Sequence, residues 1–162
     1  MIRRVTVALT ALAAALLAPV PAAQAATRAH DPVVRTDAGL VRGETTAEGR
    51  QFLGIPYAEP PVGELRWRAP RPVHPWKGVR SAQAFGNKCV QTPSWDPGYE
   101  QPSYTEDCLD VNVYVPDGSV RRPVLVWFHG GGLTAGAGQD VVPDTFARRT
   151  GTVVVTVNYR LG

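Results

Sequence analysis

This chain has few of the features that announce a metalloprotein, a nucleic-acid binder or a membrane protein. Its three histidines, His30, His74 and His129, lie far apart, share no i, i+4 helical spacing and have no Cys-His cluster beside them. Neither a metal nor any other cofactor is implied. The net charge is only +3, Arg3 and Arg4 supply two of those charges, and acids and bases are interspersed through the remainder. No electrostatic footprint for a nucleic acid is left. The one long apolar run, Val5 to Val20, is short for a membrane span, is interrupted by Pro19 and is followed by Pro21. No internal repeat is present. What remains, with 44% hydrophobic and 19% charged residues over 162 positions, is the composition of one ordinary globular unit or part of one.

The N-terminus reads as an address. Arg3 and Arg4 form a positive n-region, Val5 to Val20 an apolar h-region, and Ala23-Gln24-Ala25 a small-residue cleavage pattern. The reading is a signal peptide over residues 1–25, cleaved after Ala25, with secretion of the remainder and no membrane association afterwards; a retained anchor is the alternative. Export bears on the only two cysteines, Cys89 and Cys108. An oxidising compartment predicts that they pair, whereas a reducing one would leave two unlinked thiols.

Along the mature chain, Val33–Thr36 and Leu40–Glu44 flank the turn signal Asp37-Ala38-Gly39, which predicts a hairpin, and Gln51–Ile55 could add a third small strand. A proline-dense region, residues 56–75, should be ordered loop, because Tyr57, Trp67, Trp76 and Phe85 in and beside it need something to pack on. Leu109, Val111, Val113 and Val115 alternate with Asp110, Asn112 and Tyr114, the period-two pattern of a half-buried strand. Val124–Phe128 is apolar without a break, the pattern of a strand covered on both faces in the middle of a sheet. Residues 142–149 then predict a helix, with Asp140 as N-cap and Gly151 just past its end, and residues 152–159 a further strand. Strand, helix, strand in this order is a βαβ unit with its two strands parallel.

His129-Gly130-Gly131-Gly132 follows the all-apolar strand directly, where a βα loop would leave the sheet. Glycines there can relieve a tight turn. They can also turn backbone N–H groups outward with no Cβ in the way, which is what the developing oxyanion of an acyl-transfer intermediate requires.

With this loop, four separated segments resemble the type B carboxylesterase/lipase family, the cholinesterase-like α/β-hydrolases. They are Gly54-Ile55-Pro56-Tyr57-Ala58 with Pro60-Pro61-Val62-Gly63-Glu64-Leu65-Arg66-Trp67; Glu106-Asp107-Cys108-Leu109-Asp110-Val111-Asn112-Val113; His129 to Gly132; and Val155-Thr156-Val157-Asn158-Tyr159-Arg160-Leu161-Gly162. The resemblance implies an α/β fold: a small N-terminal antiparallel hairpin, then strands of a central, mostly parallel sheet, with residues 26–162 the N-terminal part of the domain. It implies a Cys89–Cys108 disulfide and places the oxyanion donors at Gly131 and Gly132. It also implies a small-molecule carboxylic ester as substrate, attacked by a serine. Two positions depart from the family pattern: Leu133 stands where Phe is usual, which bears on pocket shape, and Asp110 where Tyr or Thr is common.

No Gly-x-Ser-x-Gly elbow occurs, and Ser81, Ser94, Ser103 and Ser119 lack its setting. In this fold the triad order is serine, acid, histidine, so His129 comes too early to be the base and is assigned a structural role. The expectation is therefore an N-terminal fragment of a secreted ester hydrolase that is inactive alone and, with the Val124–Phe128 edge open, poorly soluble. A non-catalytic cholinesterase-like binding module and an inactive truncated gene product are the alternatives.

Overall fold

A computed structural model describes residues 31–92, 103–118 and 121–162. The signal-peptide reading and most of the segment between the two cysteines lie outside the described residues. Two sheets form. In the smaller, β1 (Val33–Arg35) and β2 (Leu40–Arg42) make the expected antiparallel hairpin, and β5 (Val79–Ser81) joins β2 in parallel. In the larger, β3 (Glu44–Thr46), β4 (Gly49–Pro56), β6 (Asp110–Val115), β7 (Val124–Phe128) and β8 (Val153–Val157) take the order β3-β4-β6-β8-β7. Its pairs are antiparallel as far as β8, and β8 and β7 are parallel, as the βαβ reading requires.

The proline-dense segment is ordered and contains a 3-10 turn at Gly63–Leu65. Trp76 packs as expected: its indole N–H donates to the Leu40 carbonyl at 2.8 Å, and the ring joins the partly buried shell around Val41, Phe52 and Ala82. Trp67 does not, and stays 79% exposed.

Strand β6 departs from the hydrophobic pattern. The deeply buried positions are Asp110, Asn112 and Tyr114, while Val111, Val113 and Val115 are only half-buried. Both faces are covered. Val113 and Val115 lie against the Val41–Phe52–Ala82 cluster, and Tyr114 on the other face packs with Leu53, Val154 and Ala147. Asn112 is tolerated at 1% exposure because the β4–β6 register shifts between Phe52 and Ile55. The Gly54 N–H in that interval donates to Asn112 Oδ1 at 3.0 Å, and Asn112 Nδ2 donates to Thr156 Oγ1 at 3.0 Å. A buried amide that completes a broken ladder avoids the penalty of orphaned polar groups.

Strand β7 has the open edge expected of this chain but does not lie in the middle of a sheet. It is the edge strand of the larger sheet, not a central one, and Val124, Val126 and Phe128 are at least half exposed. Among the described residues nothing pairs with its second edge, and such an edge with apolar faces favours self-association. The helix α1 (Asp144–Thr150) begins later than predicted, with Pro143 at the N-cap. Asp140 serves instead the preceding 3-10 turn, Gly138–Asp140, where its Oδ2 accepts the Ala137 N–H at 2.6 Å. Gly151 closes α1 in the left-handed conformation, as expected.

Candidate active site

The site is built where β7 ends. His129 is buried and its ring stacks on Tyr159, with centroids 4.1 Å apart and planes 10° from parallel. The Tyr159 hydroxyl donates to the His129 carbonyl at 2.6 Å, and His129 Nδ1 lies 2.7 Å from the Gly130 carbonyl oxygen. Ring stacking and the tyrosine hydroxyl thus hold the strand end against the turn after β8, in keeping with a structural role for His129.

Beyond it the chain turns sharply. Gly131 has φ +112°, Gly132 +61° and Leu133 +64°. The Gly131 carbonyl closes the turn by accepting the N–H groups of Thr134 and Ala135, both at 3.1 Å, and the Thr134 hydroxyl at 3.1 Å. The Leu133 carbonyl accepts from the Gly162 N–H at 3.1 Å. The carbonyls of Gly130, Gly131 and Leu133 therefore have internal partners. The N–H groups of Gly131 and Gly132 have none among the described residues. Two neighbouring amide donors on an accessible loop, kept without an acceptor, are available to an anion.

A cavity of about 330 Å³ lies beside this loop, walled by Trp67, Leu133, Arg66, Arg160 and the Cys89–Cys108 bridge. It borders the loop at Leu133 and not at Gly131 or Gly132. Arg66 on its wall is paired with Glu106 at 2.5 Å, so that pair is a tie between two loops rather than two free charges. Cys89 and Cys108 are bonded to each other, as predicted, and both are buried. Among the described residues no group of three or more His, Cys, Asp or Glu side chains could hold a metal ion, and no helix is long and apolar enough to cross a membrane.

Beneath the loop runs a buried polar network. Asn158 Oδ1 accepts the Gly138 N–H at 2.7 Å, and its Nδ2 donates to the Asn87 carbonyl at 3.0 Å and to Asp110 Oδ1 at 3.2 Å. The Tyr57 hydroxyl donates to the Asn158 carbonyl at 2.8 Å, and burial, then the nearby Asp110, raise its pKa against the lowering effect of Arg160. Burial and, next, Asp107 push the Asp110 carboxyl up to about 7 from its ordinary 3.8, against the lowering effects of the Asn158 hydrogen bond and Arg80.

A folded-state value above the unfolded one means that the folded protein holds this proton more tightly. The resulting stability is fully present below about pH 4 and is lost as pH rises through about 7. Denaturation midpoints measured from pH 4 to 8 should fall with rising pH by an amount worth on the order of 2–4 kcal/mol at this site, and Asp110→Asn should flatten that slope. An unchanged slope in Asp110→Asn would show that the proton resides elsewhere.

A sequence model of the carboxylesterase family matches residues 30–162. The chain belongs to the carboxylesterase family. It is 46% identical over 140 residues to phenmedipham hydrolase of Pseudarthrobacter oxydans, covering 81% of this chain and 28% of that protein. It is 44% identical over 135 residues to para-nitrobenzyl esterase of Bacillus subtilis, covering 80% and 28%. A solved PNB esterase structure superposes with a TM-score of 0.78 at 41% identity, over 82% of this chain and 28% of that one. The fold is therefore the N-terminal portion of an α/β-hydrolase, and the chain spans little more than a quarter of the length of these carboxylesterases. The Cys89–Cys108 pair was readable from the sequence, and Gly131 and Gly132 as candidate donors; Asn158, which ties Gly138, Asn87 and Asp110 together, was not singled out, although it lies within a family segment.

Proposed function

We propose that this chain is the N-terminal part of a secreted serine esterase, and that Gly131 and Gly132 supply two of the backbone donors of its oxyanion hole. The observation that carries the reading is the pair of unaccepted N–H groups in a tight, positive-φ turn at the C-terminal end of β7. In the family mechanism the serine oxygen adds to the ester carbonyl carbon while its proton passes to histidine. The carbonyl oxygen becomes an anion held by backbone N–H groups; the alcohol then leaves with the histidine's proton, and water repeats the sequence to release the acid. The serine, the acid, the histidine and the third donor, after the serine, belong to parts of the family fold that this chain does not contain. Residues 1–25 act as the export signal in this reading, and the relatives' names, para-nitrobenzyl esterase among them, favour small carboxylic esters as substrates.

The test uses the complete protein that carries this segment, assayed with para-nitrophenyl acetate and titrated with a serine-directed phosphonate. Hydrolysis that disappears in step with one covalent label per chain is the expected result, together with no turnover by residues 26–162 alone. A complete protein that folds, takes no label and cleaves no ester would overturn the enzyme reading. Intact-mass analysis of the exported protein should place its N-terminus at Ala26.

A further inference from the structure

The glycine loop rests on a floor that another part of the chain holds in place. Were Gly136 to carry a Cβ, that atom would lie 2.5 Å from His129 Nδ1 and 2.6 Å from the Gly130 carbonyl oxygen. A Cβ on Gly131 would lie 2.0 Å from the Ala135 carbonyl oxygen. Residues 135 and 136 are thus in direct contact with the segment that carries the donors, and the height of that segment follows theirs.

Gln91 fixes that floor. Its Oε1 accepts the Gly136 N–H at 3.0 Å and its Nε2 donates to the Gly136 carbonyl at 3.1 Å, so one side-chain amide grips both backbone groups of one residue. The second Nε2 proton is spent on the Cys89 carbonyl at 3.1 Å, and the side chain is buried, so both donors and the acceptor of the amide are engaged. Gln91 is itself tied down by its backbone pairing with Ser103, at 3.0 and 3.2 Å, and by the disulfide two residues earlier. Lys88 of the same segment pairs with Asp140 at 2.7 Å, four residues past Gly136.

We propose that Gln91 is a positioning residue for ester hydrolysis: through Gly136 it sets the placement of the Gly131 and Gly132 donors. The inference rests on the esterase reading above. A two-point grip is suited to this task because it fixes both the position and the tilt of the Gly136 peptides, and a donor displaced by about 1 Å can cost on the order of a hundredfold in rate. Lys88–Asp140 holds the far end of the same stretch, so loss of Gln91 should shift the loop rather than release it.

The experiment uses the complete protein with rates normalised to active sites titrated by a phosphonate. Gln91→Ala should lower kcat roughly ten- to a hundredfold with KM little changed. The protein's affinity for a trifluoromethyl ketone, which forms the tetrahedral oxyanion, should fall by the same factor as kcat/KM. Gln91→Glu keeps the size of the side chain and an acceptor for the Gly136 N–H but sets an oxygen against the Gly136 carbonyl. It should show the same pattern, and it carries the test if the alanine variant does not fold. Unchanged kcat per active site, with only a lowered melting temperature, would overturn the proposal, as would a loss confined to KM. A wild-type protein without ester hydrolysis would instead remove the esterase reading and the proposal with it.

Discussion

Replacing Gly131 by alanine in the complete protein should lower kcat by roughly a hundred- to a thousandfold, or about 2.7–4 kcal/mol, the cost of one oxyanion donor. The reason is local geometry. Gly131 sits at φ +112°, where a side chain is strained, and an added Cβ would lie 2.0 Å from the Ala135 carbonyl oxygen, well inside van der Waals contact. That carbonyl cannot simply retreat, because Ala135 also donates its N–H to Gly131 and is followed by the clamped Gly136. The peptide of Gly131 must rotate, and its N–H rotates with it. Gly132 provides the comparison. At φ +61° an alanine there meets only the Thr134 hydroxyl, at 4.0 Å, so Gly132→Ala should cost only the roughly 1 kcal/mol of a left-handed residue. Steady-state kinetics on both variants, per titrated site, decide the matter: equal and small effects would mean that this turn does not hold the oxyanion.

What the sequence disclosed about this fold was local. The hairpin around Asp37-Ala38-Gly39, the parallel β7–α1–β8 unit and the left-handed stop at Gly151 are all encoded within a few residues by turn chemistry and periodicity. Burial was harder to read, because it depends on what lies opposite. On β6 the valines look like the core face and Asp110, Asn112 and Tyr114 like the surface, yet the latter face is the deeper one. Hydropathy cannot anticipate that Asn112 will complete a ladder broken at Gly54. For β7 the pattern correctly describes a strand with two apolar faces, but it says nothing of which segments cover them. Among the described residues the strand lies at an edge, in a chain that spans 28% of the solved relative it superposes on.

The site divides in the same way. Gly131 and Gly132 stand out because three consecutive glycines after a buried-type strand are rare enough to ask for a reason. Gln91 carries no such mark. It lies 45 residues before Gly136, its neighbours Val90 and Thr92 form no pattern, and its importance appears only when the segment after Cys89 is folded against the loop after β7. The Asp110 position was noticed as a departure from the family pattern, and the structure shows its consequence: a buried carboxyl beside Asn158 with its proton held to about pH 7.

The disulfide carries the second large prediction. Cys89 and Cys108 are separated by 19 residues, and closing a loop of about that size stabilises a fold by roughly 3 kcal/mol in chain-entropy terms. Both half-cystines are also buried with Ala58 and Leu109, and Leu161 packs against them, so the sulfurs contribute packing as well as a tether. Two measurements separate these contributions. Reduction keeps the sulfur atoms and removes the tether; the double substitution Cys89→Ala with Cys108→Ala removes both and should lower stability further, by the cost of the space left behind. The bond also anchors the segment from which Lys88 reaches Asp140 and Gln91 reaches Gly136. Reduction should therefore lower kcat per active site at temperatures where the protein is still fully folded, because the clamp on the glycine loop loses its footing before the fold is lost. If denaturation midpoints drop on reduction while kcat stays constant, the bridge stabilises the domain without reaching the loop, and the mechanical link from Cys89 through Gln91 to Gly131 is broken at its first step.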